Sequence, residues 1–197
     1  MSQYRIVLAS ASPRRLELLR QMGVEPDVRP ASLSEESLTG ETPWAQALRL
    51  AEAKGRAVAD RFAGDGPSTV VLAADTVVVV DGICLGKPAS EEQARAMLRR
   101  LSGRTHEVLT GVWLRRTDDG RSASLVETSR VRFHSCSESV VRWYVATGEP
   151  MDKAGAYAVQ GLGAVLVAEV VGSWTNVVGL PMEKLAPMLN RIGLAQL

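Results

Sequence analysis

The chain has 197 residues, 46% apolar and 23% charged, enough to bury a substantial core as one large domain or two closely packed lobes. Its 23 basic and 22 acidic side chains leave a formal charge of +1, which excludes a broad nucleic-acid surface and confines any basic site to a local cluster. Cys84 and Cys136 form neither a C-x-x-C pair nor a disulfide framework, the N-terminus lacks a signal-peptide core, and no stretch approaches a membrane span, so the expectation is a soluble cytoplasmic protein.

Residues 4–9 read as a strand leading into a helix over 13–22, with Ser12 as cap, Pro13 in the first helical position and Gly23 as the stop. Residues 24–41 are polar and acidic and read as a loop. Thr42-Pro43 opens a long alanine-rich helix to about Phe62, supported by a Glu52–Arg56 pair at i,i+4. GDGPS (64–68) reads as a loop, residues 69–80 as a strongly apolar strand, and Asp81-Gly82 as a hairpin turn. Ser90 and Gln93 make a capping box for a helix ending before Gly103. Residues 106–116 and 124–133 alternate like strands, and 138–146 make a short helix stopped at Gly148. The glycine-rich 148–163 reads as a structured loop, 164–171 as a strand and 181–191 as a last helix. This alternation predicts an α/β fold with a mixed sheet, because the DG hairpins add antiparallel pairs.

Three features carry candidate chemistry. SASPRRLELL (10–19) places Arg14 and Arg15 in the first turn of a helix, where the dipole favours anions. A strand, a serine turn and a helix N-terminus together make an anion site, and arginine matches phosphate with a planar fork. The plain alternative is that both side chains turn to solvent or pair with Glu17 or Glu41. In TVVLAADTVVVVDG, Asp75 stands inside an apolar strand, where a carboxylate is costly unless a metal, a cation or hydrogen bonds compensate it. It is a candidate general base or divalent-metal ligand, or else a structural carboxylate bonded to a loop. Gly86-Lys87-Pro88 is not a P-loop, since its spacing is one short and Pro88 replaces the Ser/Thr. An ordinary surface lysine is the simpler reading of Lys87, a solvated helix face that of Lys54, and a solvated acidic loop that of Glu35 and Glu36. His106 and His134 are isolated, which argues against zinc and a Ser/His/Asp triad. The tryptophans Trp44, Trp113, Trp143 and Trp174 read as core or interface anchors.

Taken in order, SASPRRLELL, RLAEAKG, AADTVV with GKP, TGEPMDKAGAYAVQGLG and GSWTNVVGLP resemble the Maf family of nucleoside triphosphate pyrophosphatases, from residue 8 to about 185. The resemblance implies a single domain over 1–197 with a strongly twisted mixed sheet flanked by helices and two lobes around a central cleft. It implies cleavage of a nucleoside triphosphate between the α- and β-phosphates with a divalent cation, Mg²⁺ or Mn²⁺. By motif, Arg14, Arg15, Lys54 and Lys87 would bind the triphosphate, and Asp75 would accept a proton or ligate metal, with Thr76 beside it. Glu35 matches the acidic loop residue of the family, although Ser34 stands where a further acidic residue is common. DKAGAYAVQG with Gln160 looks like the subgroup acting on dTTP and UTP, Gln160 facing the base with both a donor and an acceptor. A homodimer is the family's usual state. The alternatives are a nucleotide-binding regulator of cell division or shape without turnover, and a 7-methyl-GTP or ITP/XTP-type pyrophosphatase.

Overall fold

The computed structural model describes residues 4–62 and 68–194. Residues 64–67 of the expected GDGPS loop lie outside that range. Strand β1 (Arg5–Leu8) carries three successive buried apolar residues, as a strand covered on both faces requires. Helix α1 (Pro13–Gln21) follows, buries Leu18 and Leu19, and gives way to Gly23 at φ +76°. Ser12 sits at the N-cap position, but its side chain makes no cap bond. Its own N–H instead donates to Ser10 Oγ at 3.2 Å, so a serine turn replaces the expected cap.

The segment expected as one loop over 24–41 contains β2 (Asp27–Val28), paired parallel to β1 with Val7 opposite Asp27 and Leu8 opposite Val28. A two-residue strand has no periodicity to read, and the neighbouring β1 edge creates it. Helix α2 (Pro43–Ala59) is capped by Thr42 Oγ1, which accepts the Ala45 N–H at 3.2 Å, and runs into a 3-10 turn at Asp60–Phe62.

β3 (Thr69–Val80) is followed by the expected tight turn, with Asp81 at φ +53° and Gly82 at φ +72°, and then by β4 (Ile83–Leu85), antiparallel to it. At α3 (Glu91–Leu101) Ser90 Oγ accepts the Gln93 N–H at 3.2 Å. The Gln93 amide oxygen reaches back to the Ala89 N–H at 2.6 Å, one residue upstream of the usual box.

β5 (Thr105–Arg116), β6 (Ser122–Phe133) and α4 (Glu138–Ala146) follow. The glycine-rich segment forms 3-10 turns at Glu149–Asp152, Ala154–Ala156 and Gly161–Leu166. The last of these takes the first residues of the strand expected over 164–171, so β7 is Val167–Val171. Helix α5 (Trp174–Val178) is too short to show a helical repeat in the sequence. The last helix, expected over 181–191, is a 3-10 turn at Met182–Lys184 followed by α6 (Leu185–Arg191).

The strands form one mixed seven-stranded sheet in the order β2-β1-β3-β5-β6-β7, with β4 on β3. β1 runs parallel to β2 and β3, and β7 antiparallel to β6. Within the span expected as one domain the chain clusters into two compact units. The first draws on Met1–Asp75, Thr110–Glu127 and Gly179–Leu197, the second on Thr76–Leu109 and Thr128–Val178.

In the first unit, Val7, Ala9, Val71, Ala73 and Trp113 pack against Ala51, Val58 and Ala59 of α2. The approach is unusually close. A Cβ on Gly55 would lie 2.1 Å from the Trp113 ring, and one on Gly111 would lie 2.2 Å from the Ala47 carbonyl oxygen. The second unit buries Val78, Val108, Val131 and Phe133 against Leu98 of α3 and Tyr144 of α4. Of the four tryptophans only Trp113 is core; Trp44, Trp143 and Trp174 are about half exposed. Neither cysteine forms a disulfide among the described residues, and no helix there is long and apolar enough to cross a membrane.

Candidate active site

Asp75 lies within β3 beside Ala73 and Ala74, which are wholly buried, and is itself only 6% exposed. An ionised carboxylate is expensive in such a place unless a cation meets it. The cation is Lys54, 8% exposed on α2, the residue before the glycine that lets this helix sit against Trp113. Its ammonium donates to Asp75 Oδ1 at 2.5 Å and to Glu35 Oε1 at 2.5 Å. The solvated-face reading of Lys54 is therefore wrong, because close helix packing carries the ammonium inside. Glu35 is half exposed, so one partner of Lys54 is dry and the other wet.

The two first-turn arginines differ. Arg14 is partly buried, whereas Arg15 is 9% exposed, its Nε donating to the Gly179 carbonyl oxygen at 2.8 Å and one terminal nitrogen to Ser10 Oγ at 3.0 Å. The first turn of α1 contains no acidic residue. Glu41, one of the expected partners, is instead held in a two-pronged pair by Arg49, at 2.6 and 2.7 Å. Arg49 also donates to the Glu36 carbonyl oxygen at 3.1 Å, and Ser37 donates to the buried Gln46 side chain at 3.0 Å. These bonds dock the acidic loop on α2 and so set where Glu35 stands.

Burial lowers the pKa of Arg15 and outweighs the opposing pull of Asp75 and Glu35, while Arg14 lowers it further. Burial likewise raises Asp75 above the ordinary carboxylate range, against the attraction of Lys54 and Arg15 and with help from the Glu35 charge. Asp75 is thus a desolvated carboxylate with more basicity than a surface one, set among cations. That is the equipment of a proton acceptor beside a polyanion.

The structure brings Arg15, Glu35, Lys54 and Asp75 together, and Thr76 follows Asp75 in β3. Lys87 and Gln160 belong to the second unit, Lys87 exposed in the irregular segment after β4 and Gln160 partly buried before the Gly161–Leu166 turn. Sequence reasoning missed Ser10, whose hydroxyl orients Arg15 and closes the serine turn. The signal was present as a small hydroxyl residue in the short turn between β1 and a helix start. Among the described residues no three His, Cys, Asp or Glu side chains gather as a metal set. Asp75 and Glu35 nevertheless converge on one cation, the Lys54 ammonium. Two such oxygen donors fit a hard divalent ion that takes its remaining ligands from water and phosphate. His106 is a core group of the second unit, edge-on to Phe133 and 2.7 Å from the Tyr157 hydroxyl.

A family model described as Maf-like protein matches residues 5–192. The dTTP/UTP pyrophosphatase of Anaeromyxobacter dehalogenans (strain 2CP-C) is 52% identical over 191 residues, covering 96% of this chain and 94% of that protein. Those of Symbiobacterium thermophilum, 49% identical over 95% of this chain and 94% of that one, and of Myxococcus xanthus, 50% identical over 96% and 93%, are also similar. A solved nucleoside-triphosphatase / dITP/XTP pyrophosphatase from Mycobacterium abscessus is 15% identical, with a TM-score of 0.42 and coverage of 95% of this chain and 97% of that one. A likeness at that level decides neither fold nor substrate.

Proposed function

The chain belongs to the Maf family, and from that premise we propose that it hydrolyses dTTP and UTP to the monophosphate and pyrophosphate, clearing these and modified pyrimidine nucleotides from the pool. Three relatives near half identity over almost the whole chain bear that activity in their names. The observation that carries the reading is the Lys54–Asp75 pair, a buried carboxylate and ammonium 2.5 Å apart with the Arg15 charge nearby. A purely structural role gives no reason to gather these charges in one buried place.

On this reading Arg14, Arg15 and Lys54 hold phosphate oxygens and stabilise the charge that develops on them during cleavage. Ser10 and the Gly179 carbonyl fix the Arg15 fork, so its geometry is set before substrate arrives. Asp75 accepts a hydrogen bond and then the proton of the attacking water. A new P–O bond forms as the α–β anhydride breaks, and pyrophosphate leaves with the bonding electron pair. Thr76 offers a hydroxyl next to that carboxylate. Lys87 is assigned to a further phosphate contact and Gln160 to the base edge, both on family resemblance. Asp75 and Glu35 are the residues that would hold a Mg²⁺ or Mn²⁺ ion, whose chemistry is to neutralise phosphate oxygens. The same resemblance supports the homodimer and the cytoplasmic location, and one family model spanning 5–192 supports a single functional domain over 1–197.

Pyrophosphate release from a panel of nucleoside triphosphates, with and without Mg²⁺ or Mn²⁺, tests the proposal. Cleavage of dTTP and UTP is expected. Preference for 7-methyl-GTP, ITP or XTP overturns the subgroup, and silence on every nucleotide overturns the enzyme in favour of a regulator.

A further inference from the structure

The segment around Gln160 has almost no regular structure of its own, yet it is closed tightly by one side-chain pair. Tyr144, on α4 and fully buried, donates its hydroxyl hydrogen to Glu149 Oε1 at 2.8 Å. The same hydroxyl oxygen accepts the Ala158 N–H at 3.1 Å. The Glu149 carboxylate then accepts the Gly163 N–H on Oε1 at 2.9 Å and the Leu162 N–H on Oε2 at 3.1 Å. Three main-chain donors that straddle Gln160, at positions 158, 162 and 163, therefore end on a single tyrosine–glutamate pair.

Close packing makes the closure specific. Gly161 stands at φ +64°, and a Cβ there would meet Glu149 Oε2 at 2.8 Å. A Cβ on Gly163 would lie 2.4 Å from the Ala158 carbonyl oxygen and 2.6 Å from the Tyr144 hydroxyl. Neither position has room for a side chain, so the backbone that follows Gln160 is pressed onto the pair and onto Ala158. Burial pushes the Glu149 carboxyl up, but the Gly163 N–H, the Tyr144 hydroxyl, the Leu162 N–H and the Lys153 charge outweigh it and leave it below the ordinary range. The clamp is thus built on an ionised carboxylate, which can accept every one of these bonds.

We propose that Tyr144 and Glu149 are positioning residues for Gln160, fixing the amide that reads the nucleotide base and so setting the preference for pyrimidine triphosphates. The inference rests on the assignment of Gln160 to the base edge made above. Neither residue touches the reacting phosphates on this reading. Their loss acts on which base is accepted and leaves the chemistry of cleavage alone.

The test compares kcat/KM for dTTP with kcat/KM for GTP in the full chain and in Gln160→Ala, Tyr144→Phe, Glu149→Gln and the doubles with Gln160→Ala. Tyr144→Phe keeps the buried ring and Glu149→Gln keeps the shape, and a melting curve monitors both. If one variant fails to fold, the other decides. Gln160→Ala is expected to lower the dTTP:GTP ratio by about tenfold, the worth of one positioned hydrogen bond. Each clamp variant is expected to lower it ~3- to 10-fold, through a raised KM for dTTP with kcat for GTP unchanged, and to add nothing in the Gln160→Ala background. The proposal is overturned if Gln160→Ala lowers the ratio and the clamp variants do not, or if their effects persist in the doubles. An unchanged ratio in Gln160→Ala itself removes the base-edge assignment instead, and the clamp's role with it.

Discussion

Replacing Asp75 with Asn separates catalysis from stability with a single change of charge. The Asn oxygen can still accept from the Lys54 ammonium, which keeps Glu35 at 2.5 Å. Breaking a buried ion pair costs about 3–5 kcal/mol when it strands a charge, and here the remaining carboxylate prevents that. Burial already holds the Asp75 pKa above its unfolded value. The ionised form therefore weakens the fold at neutral pH, burial outweighing the attraction of Lys54 and Arg15. The sign follows: Asp75 contributes stability below its unfolded pKa, and loses that contribution as pH rises through the folded one. The two effects nearly offset, and Asp75→Asn is expected within about 1 kcal/mol of the parent in urea denaturation at pH 7, or above it.

Turnover of dTTP, read as pyrophosphate release, is expected to fall 10²- to 10⁴-fold, roughly 2.7 to 5.5 kcal/mol on the barrier. The parent's activity should decline on acidification above the ordinary aspartate pKa of about 3.9, and the residual rate of the variant should lack that limb. Near-normal turnover refutes the assignment of the base. So does a loss of several kcal/mol of stability, which would make Asp75 a structural residue.

Arg14→Ala should cost at least tenfold in kcat/KM for dTTP while the denaturation midpoint moves far less, the helix dipole exchanging only ~0.3–1 kcal/mol with a first-turn cation. Gly55→Ala should gain about 1 kcal/mol in helix propensity and lose more than that to the Cβ placed 2.1 Å from the buried Trp113 ring, for a net destabilisation of ~1–3 kcal/mol seen by thermal unfolding. Burial lowers His106 to about 4, so its contribution is complete above the unfolded value of about 6.5 and is lost as pH falls toward 4. His106→Asn should flatten that part of the stability profile, by about 3 kcal/mol between pH 7 and 4 at most, in denaturation curves taken at both.

The sequence was most legible where one local rule acted alone. The apolar run of β3 and the cap at Thr42 needed only periodicity and a hydroxyl in the right place, and both elements form as expected. It was least legible where a neighbour decided. β2 exists because β1 offers an edge, and residues 164–166 turn because Leu166 is drawn into the core. The site divides in the same way. Asp75 stood out because its residue type conflicts with its surroundings, whereas Lys54 looked like one more solvated lysine. Its burial depends on Gly55 and Gly111, whose lack of side chains matters only across a helix–sheet contact. Ser10 went unnoticed because a serine before a helix announces a cap, and here it grips an arginine instead.

That helix–sheet contact has a further consequence. A close helix–sheet contact of the first unit and its charged centre are neighbours in the chain, since Gly55 faces the Trp113 ring and Lys54 precedes it. The ammonium therefore has no slack of its own; its stiffness is borrowed from the tryptophan wall. Warming that loosens this wall releases the lysine in the same event. Heat inactivation is accordingly expected to coincide with the loss of ordered Trp113 environment, without an earlier stage in which the fold survives and the activity has gone.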